Sequence, residues 1–211
     1  MPIVLSVTSP AAGDGKSLVS SNLALAFASA GSRTLLIDGD IRCGTQHTTF
    51  DIPVTPGLVE YLYGTAGIDS IVRSTALENL FLIPRGARRT RAPELLVSDQ
   101  MGTLMTAVRR QFDVIIVDSP PLIAGMDGYA LGAAAGSIVL VMRPAVTDIK
   151  LAAAKLEVLD RLPIRILGTV INGVPDGGAY RYYGSDYAYN EQSATETITD
   201  LATPNGLVLG A

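Results

Sequence analysis

Short runs of consecutive apolar residues alternate along this chain with longer stretches of helical period. The apolar runs predict strands over residues 3–8, 34–37, 80–83, 114–117, 138–142 and 166–171. Between them the period of 3.6 predicts a helix over 16–30, ended by Gly31, and a short helix over 58–63 after Pro56-Gly57. A helical region opens at 93–97 and continues over 100–111 with Ser98 or Asp99 as cap. Another helix covers 147–161 with Thr147 or Asp148 as cap. Residues 38–56 are polar and irregular and read as a functional loop. The strand runs are continuous rather than alternating, as expected of parallel strands buried on both faces. Strand–helix alternation then predicts an α/β fold with a doubly wound, mostly parallel sheet. After Asn172 the apolar period stops, and Gly, Asp, Ser and Tyr dominate residues 175–190. The chain therefore divides into one domain over 1–179 and a flexible, tyrosine-rich tail over 180–211.

Composition narrows the function classes. Hydrophobic residues are 48% of the 211 and charged residues 17%, which excludes a disordered, highly charged chain. Sixteen basic against twenty acidic residues give a net charge of −4. No global basic field is present to draw in nucleic acid. A single cysteine, Cys43, rules out an internal disulfide and suits a reducing compartment. The longest uncharged runs, 17–32 and 128–142, are too short and too rich in Gly, Ala and Ser for a membrane span. No basic segment precedes an apolar stretch at the start, so the chain reads as a soluble, cytoplasmic domain.

The chemistry concentrates at strand ends. Pro10-Ala11-Ala12-Gly13-Asp14-Gly15-Lys16-Ser17 lies between the first strand and first helix and ends in the GK[ST] of a phosphate loop. Gly13 and Gly15 permit positive φ, so backbone N–H groups can turn inward around phosphates. The helix start adds partial positive charge. Lys16 can reach the outer phosphates, and Ser17 offers a hydroxyl to Mg²⁺. Pro10 stands where the usual pattern has Gly, so a Gly-rich turn with an incidental Lys-Ser is the competing reading. Leu36-Ile37-Asp38-Gly39-Asp40-Ile41-Arg42 places two acids beyond a buried strand. On an extended chain Asp38 and Asp40 would point to one side. Val114-Ile115-Ile116-Val117-Asp118 places a third acid in the same way. Acids at the carboxyl ends of parallel strands sit at the ligand-binding edge of a sheet, where they can hold Mg²⁺, its waters or an attacking hydroxyl. Taken singly, each is equally a helix cap or a solvated turn acid.

Together these segments, with Pro93-Glu94-Leu95-Leu96 and Phe112–Pro121, carry a resemblance to the catalytic domain of the bacterial tyrosine kinases. These BY-kinases accompany capsule and exopolysaccharide synthesis. The resemblance covers most of residues 3–175 and implies a P-loop NTPase of the deviant Walker group, akin to MinD and ParA. It implies ATP and Mg²⁺. Walker A falls on Gly13, Asp14, Gly15, Lys16 and Ser17, followed by Leu18; Walker A′ falls on Asp38 and Asp40; Walker B falls on Asp118. Lys16, Asp38 and Asp40 are implied as catalytic, with Asp38 acting on the tyrosine hydroxyl. Ser17, Asp40 and Asp118 are implied as metal ligands, and Asn172 as the reader of the adenine edge. The absence of a guanine-type Asn-Lys-x-Asp also favours ATP.

Tyr180, Tyr182, Tyr183, Tyr187 and Tyr189 lie among Gly, Asp, Arg and Asn rather than at core spacings. The resemblance implies that they are autophosphorylated in trans within a ring-like homo-oligomer. It further implies a membrane activator or co-polymerase segment, a cognate tyrosine phosphatase, and placement at the inner face of the plasma membrane. The family's Glu-x-x-Arg-x-x-Arg helix ahead of the first strand and its activator segment have no counterpart in this sequence. Ring assembly and full activity are therefore expected to depend on segments outside it. Residues 180–211 carry one Arg against Asp186, Glu191, Glu196 and Asp200. Each phosphotyrosine would add about −1.5 to −2 to that tail, a plausible switch for assembly.

Two other functions compete with the kinase. A ParA- or MinD-type positioning ATPase carries a second lysine directly after the first loop position, where this chain has Ala11. A nucleotide-binding scaffold without transfer would use the same residues. Arg85, Arg88, Arg89 and Arg91 form a basic loop, read either as solvated or as a contact for phosphorylated tails or a neighbouring subunit. His47 reads as a surface histidine, and Cys43 as too isolated for a metal site.

Overall fold

The computed structural model describes residues 1–89 and 92–174. The elements run β1 (Ile3–Thr8), α1 (Lys16–Ser29), β2 (Thr34–Asp38), α2 (Gln46–Thr49), α3 (Leu58–Leu62), α4 (Ile68–Ile71), β3 (Arg73–Ser74), β4 (Leu80–Ile83), α5 (Ala92–Leu95), α6 (Asp99–Val108), β5 (Val114–Asp118), α7 (Asp127–Ala135), β6 (Ser137–Met142), α8 (Ile149–Leu159) and β7 (Arg165–Ile171). A 3₁₀ turn spans Leu122–Ala124.

Seven strands form one sheet in the order β3-β4-β2-β5-β1-β6-β7. Every pairing is parallel except that of β3 with β4. The central strands bury both faces, and their side chains alternate between two cores. Leu35, Ile37, Ile115 and Val117 join the core under α3, α6 and α7. Leu36, Val114, Ile116, Leu5 and Val7 join the opposite core against Ala24 and Ala28 of α1. A period of two on strands buried from both sides requires an unbroken apolar run. The mostly parallel, doubly wound reading of the sequence is borne out.

Four elements, α2, α4, β3 and α7, and the 3₁₀ turn lie where the residue pattern carried no signal for them. Residues 38–56 are not wholly irregular, because α2 occupies Gln46–Thr49. The edge pair adds β3, two residues long. The helix α7 was hidden in an uncharged run containing Gly128 and Gly132, residues that ordinarily weaken a helix. Here they let it lie close to its neighbours. A Cβ at Gly128 would come within 2.9 Å of the Pro120 carbonyl, and one at Gly132 would overlap the Ile138 side chain. The alternative caps resolve to Ser98 for α6 and Asp148 for α8. Asp148 accepts from the Lys150 and Leu151 amides at 2.8 and 3.2 Å.

This strand order positions the chemistry. β5 lies between β1 and β2, with Val7 level with Asp118 and Asp38 level with Asp118. The phosphate loop after β1 and the acids ending β2 and β5 therefore emerge side by side at one sheet edge. At the other flank, β7 is an edge strand with Leu167 and Ile171 exposed. No helix among the described residues is long and apolar enough to cross a membrane.

Candidate active site

The phosphate loop turns on two left-handed glycines, Gly13 at φ +92° and Gly15 at φ +91°. Gly15 is the residue before α1, so the loop's backbone amides and the helix start face the same space. A residue with a Cβ would be strained at either position. At Gly15 it would also overlap the Asn172 amide. The loop is latched from outside. Asp14 is buried, and its Oδ1 accepts from Thr147 Oγ1 at 2.6 Å. Its other oxygen accepts from the Ala11 amide at 3.3 Å. Asn172 Nδ2 donates to the Asp14 carbonyl at 3.0 Å. The side chain expected to read adenine thus also braces the loop.

Lys16 Nζ lies 3.3 Å from Asp40 Oδ2 and 3.3 Å from Ser17 Oγ. Asp40 Oδ1 accepts from the Cys43 amide at 2.9 Å. Asp40 and Asp38 do not share one extended side. The chain turns after β2, with Gly39 N donating to the Ile37 and Asp118 carbonyls and Ile41 N to Gly39. Asp40 swings to Lys16, whereas Asp38 stays at the strand end beside Asp118.

Asp38 is fully buried. Its Oδ2 accepts from the Gln46 amide at 3.1 Å, and its Oδ1 has no partner. Burial first, then the neighbouring Asp118 charge, pushes its pKa up to about 8. Gly44 lies against this carboxyl so closely that a Cβ there would overlap it. Asp118 is also buried and its pKa raised by burial, opposed by Lys16 and by donors from Gln46, Ser17 and Ser20. Its Oδ1 accepts from Ser20 Oγ at 3.2 Å and its Oδ2 from Gln46 Nε2 at 2.8 Å.

The structure brings Gly13, Asp14, Gly15, Lys16, Ser17, Asp38, Asp40, Asp118 and Asn172 to one edge. Leu18, in the first turn of α1, is exposed instead. Two participants carried no sequence signal. Gln46 was one polar residue in a polar loop. Arg85 was one of several arginines, yet its Nε donates to the Gly44 carbonyl at 3.0 Å and its Nη1 to the Gly86 carbonyl at 2.8 Å. Arg85 is therefore half-buried, with its Nε and Nη1 held by backbone carbonyls of the same region. Arg89 stacks over Tyr63 at 4.8 Å. Arg91 and the tyrosines at 180, 182, 183, 187 and 189 lie outside the described residues. His47 is half-buried rather than a surface residue, with Nδ1 buried and unpartnered, and burial and then the Arg85 charge lower its pKa. Arg42 Nε pairs with Asp127 at 2.9 Å, tying the segment after Asp40 to the start of α7.

Comparison with known proteins fits this geometry. An AAA-domain family profile matches residues 3–154. The tyrosine-protein kinase YwqD of Bacillus subtilis is 34% identical over 181 residues, covering 85% of this chain and 76% of that protein. The putative tyrosine-protein kinase EpsB of Ralstonia solanacearum is 37% identical over 182 residues, 86% of this chain. The chain spans only 24% of EpsB's length. Among solved structures, the kinase domain of the Escherichia coli tyrosine kinase ETK superposes with a TM-score of 0.79 at 30% identity, covering 83% of this chain and 69% of that one. The septum site-determining protein MinD of Pyrococcus horikoshii shares the fold alone, with a TM-score of 0.70 at 22% identity over 93% of this chain and 77% of that one. With its phosphate loop and strand-end aspartates gathered at one sheet edge, the chain belongs to the bacterial tyrosine-protein kinases of the AAA-domain family.

Proposed function

We propose that this chain binds ATP with Mg²⁺ and transfers the terminal phosphoryl group to tyrosine hydroxyls. The observation that carries this is the meeting of Lys16, Asp40, Asp38 and Asp118 beneath a doubly left-handed glycine loop, in a chain related to tyrosine-protein kinases over most of its length. The donor set suits the pair of ligands. Backbone amides, a helix start and Lys16 complement phosphate. The Asp40 and Asp118 carboxylates and the Ser17 hydroxyl complement a hard divalent cation. The unpartnered Asp38 oxygen leaves one acceptor for an incoming donor.

In this reading Lys16 exchanges Asp40 for phosphate oxygens and so frees Asp40 for the cation. Ser17 and Asp118 complete the metal side, and Asn172 meets the base. Mg²⁺, when bound, would neutralise charge developing on the phosphates. Asp38 takes the proton of the tyrosine hydroxyl. With its pKa raised to about 8, this carboxyl holds a proton at neutral pH in the nucleotide-free chain and must release it before it can act as acceptor. Because Gly44 and Gln46 pack over Asp38, the segment carrying them must draw back before a tyrosine can reach it. The substrates are Tyr180, Tyr182, Tyr183, Tyr187 and Tyr189 of a neighbouring copy. The wider role is regulation of exopolysaccharide or capsule synthesis at the inner membrane face, with an activator segment from another region or chain and a cognate phosphatase to reverse it.

Intact mass measurement after incubation with Mg-ATP tests the reaction. One or more phosphate masses on the tail, absent in Lys16→Met, are expected. Nucleotide binding with no added mass, even with an activator peptide, would refute transfer and favour a scaffold. Mixing Lys16→Met with a tail-deleted active chain tests the trans reaction, which unphosphorylated Lys16→Met tails would overturn.

A further inference from the structure

Gln46, which no motif singles out, makes three hydrogen bonds inside the site. It is 1% exposed. Its backbone N–H donates to Asp38 Oδ2 at 3.1 Å. Its side-chain Nε2 donates to Asp118 Oδ2 at 2.8 Å and to the Ser17 carbonyl at 3.0 Å. One residue thus touches the ends of β2 and β5 and the first turn of α1.

Its placement is imposed by its neighbours. Gly44 can lie against Asp38 only because it lacks a Cβ. Arg85 holds the Gly44 carbonyl, and α2 begins at Gln46. The amide has two N–H groups and both are used. One meets the Walker B carboxylate, whose remaining oxygen is held by Ser20. The other meets the carbonyl of Ser17, the residue whose hydroxyl is the proposed metal ligand. The amide therefore sets the separation and orientation of two groups that must face one cation. A charge-assisted donor on a buried carboxylate is among the stronger contacts a side chain makes.

We infer that Gln46 is a positioning residue for the metal–nucleotide complex, fixing Asp118 and Ser17 relative to each other from the Walker A′ segment. The inference rests on the proposed ATP and Mg²⁺ site and assigns no chemistry to Gln46 itself. Its role is geometric, so its loss is felt where the cation must be gripped and spared where phosphates meet only the glycine loop and Lys16.

The test is a fluorescence titration with a labelled ADP, with Mg²⁺ and in excess chelator, for the parent chain, Gln46→Met and Gln46→Asn. Methionine keeps length and volume without donors; asparagine keeps the donors but cannot reach. In both variants the Mg²⁺-dependent gain in affinity is expected to fall by about tenfold, the equivalent of one lost charge-assisted bond. Affinity in chelator should stay within about twofold. A purely structural role would weaken both conditions alike, and that result, or an unchanged Mg²⁺ gain, overturns the inference. If Gln46→Met does not fold, Gln46→Asn decides. Absence of nucleotide binding by the parent chain would instead overturn the ATP reading and this inference with it.

Discussion

Replacing Asp38 by asparagine is expected to shift the stability of the nucleotide-free chain upward relative to the parent as pH rises. The Asp38 carboxyl is fully buried with one oxygen unpartnered, and its pKa is raised from the ordinary 3.8 to about 8. Between those values the folded state holds a proton that the unfolded state has released. Stability therefore falls as pH rises through that window and levels off above the folded pKa. Over pH 5 to 8 the loss is on the order of 3 kcal/mol. Asparagine has nearly the same shape as the protonated acid and no such titration. The difference in unfolding free energy, variant minus parent, should therefore move in the variant's favour by that amount across the window. Its baseline reflects an amide N–H₂ set where a carboxyl oxygen lacked a partner, a cost of about 1–3 kcal/mol. The difference cancels groups that do not sense Asp38, so urea unfolding of both between pH 5 and 8.5 reads Asp38 together with its coupling to Asp118. A difference flat with pH would refute the reasoning. A difference moving in the parent's favour as pH rises would mean that Asp38 is held as a carboxylate.

Other consequences follow from contacts of different kinds. Gly44→Ala places a methyl group in the Asp38 carboxyl and should cost about 1–3 kcal/mol. Asp38→Ala should restore part of it, and thermal melts of the two singles and the double measure that coupling. Ile116→Ala, in the fully buried centre of the sheet, should cost about 2–5 kcal/mol in denaturant unfolding. Arg42→Ala removes the Asp127 ion pair; the arginine is half exposed. Because the Asp127 carboxylate is only 8% exposed and loses its partner, the cost in the same unfolding assay should be about 1–3 kcal/mol.

Much of the fold was legible because central parallel strands are buried on both faces. An uninterrupted apolar run such as Val114-Ile115-Ile116-Val117 leaves little other interpretation. The helix α7 escaped because its evidence is negative. Gly128 and Gly132 are there so that nothing projects, and an absence of side chain at a close approach looks in sequence like an absence of structure. The site divides in the same way. Lys16, Asp38, Asp40 and Asp118 were readable because strand ends and a glycine loop fix where they fall. Gln46 and Arg85 were not, since each depends on how a polar segment folds back over Asp38.

That fold-back links the two observations that most shape the site. The carboxyl proposed to accept a proton is covered by the segment that carries Gln46, and Gln46 also grips Asp118 and the Ser17 carbonyl. Withdrawing this segment to admit a tyrosine would release Asp118 and Ser17 together, unless the side chain holds while the backbone at Gly44 yields. Gly44 lacks a Cβ and its carbonyl is held by a single arginine donor. Exposure of Asp38 and retention of the metal grip can then be separate events, hinged between residues 44 and 46. Arg85→Ala should loosen the Gly44 side of that hinge alone. Amide exchange at Gly44 and Thr45 should rise by more than about fivefold, while the Mg²⁺-dependent gain in nucleotide affinity stays within about twofold. Loss of both together would show that the segment moves as one body and that Asp38 cannot open without surrendering the cation.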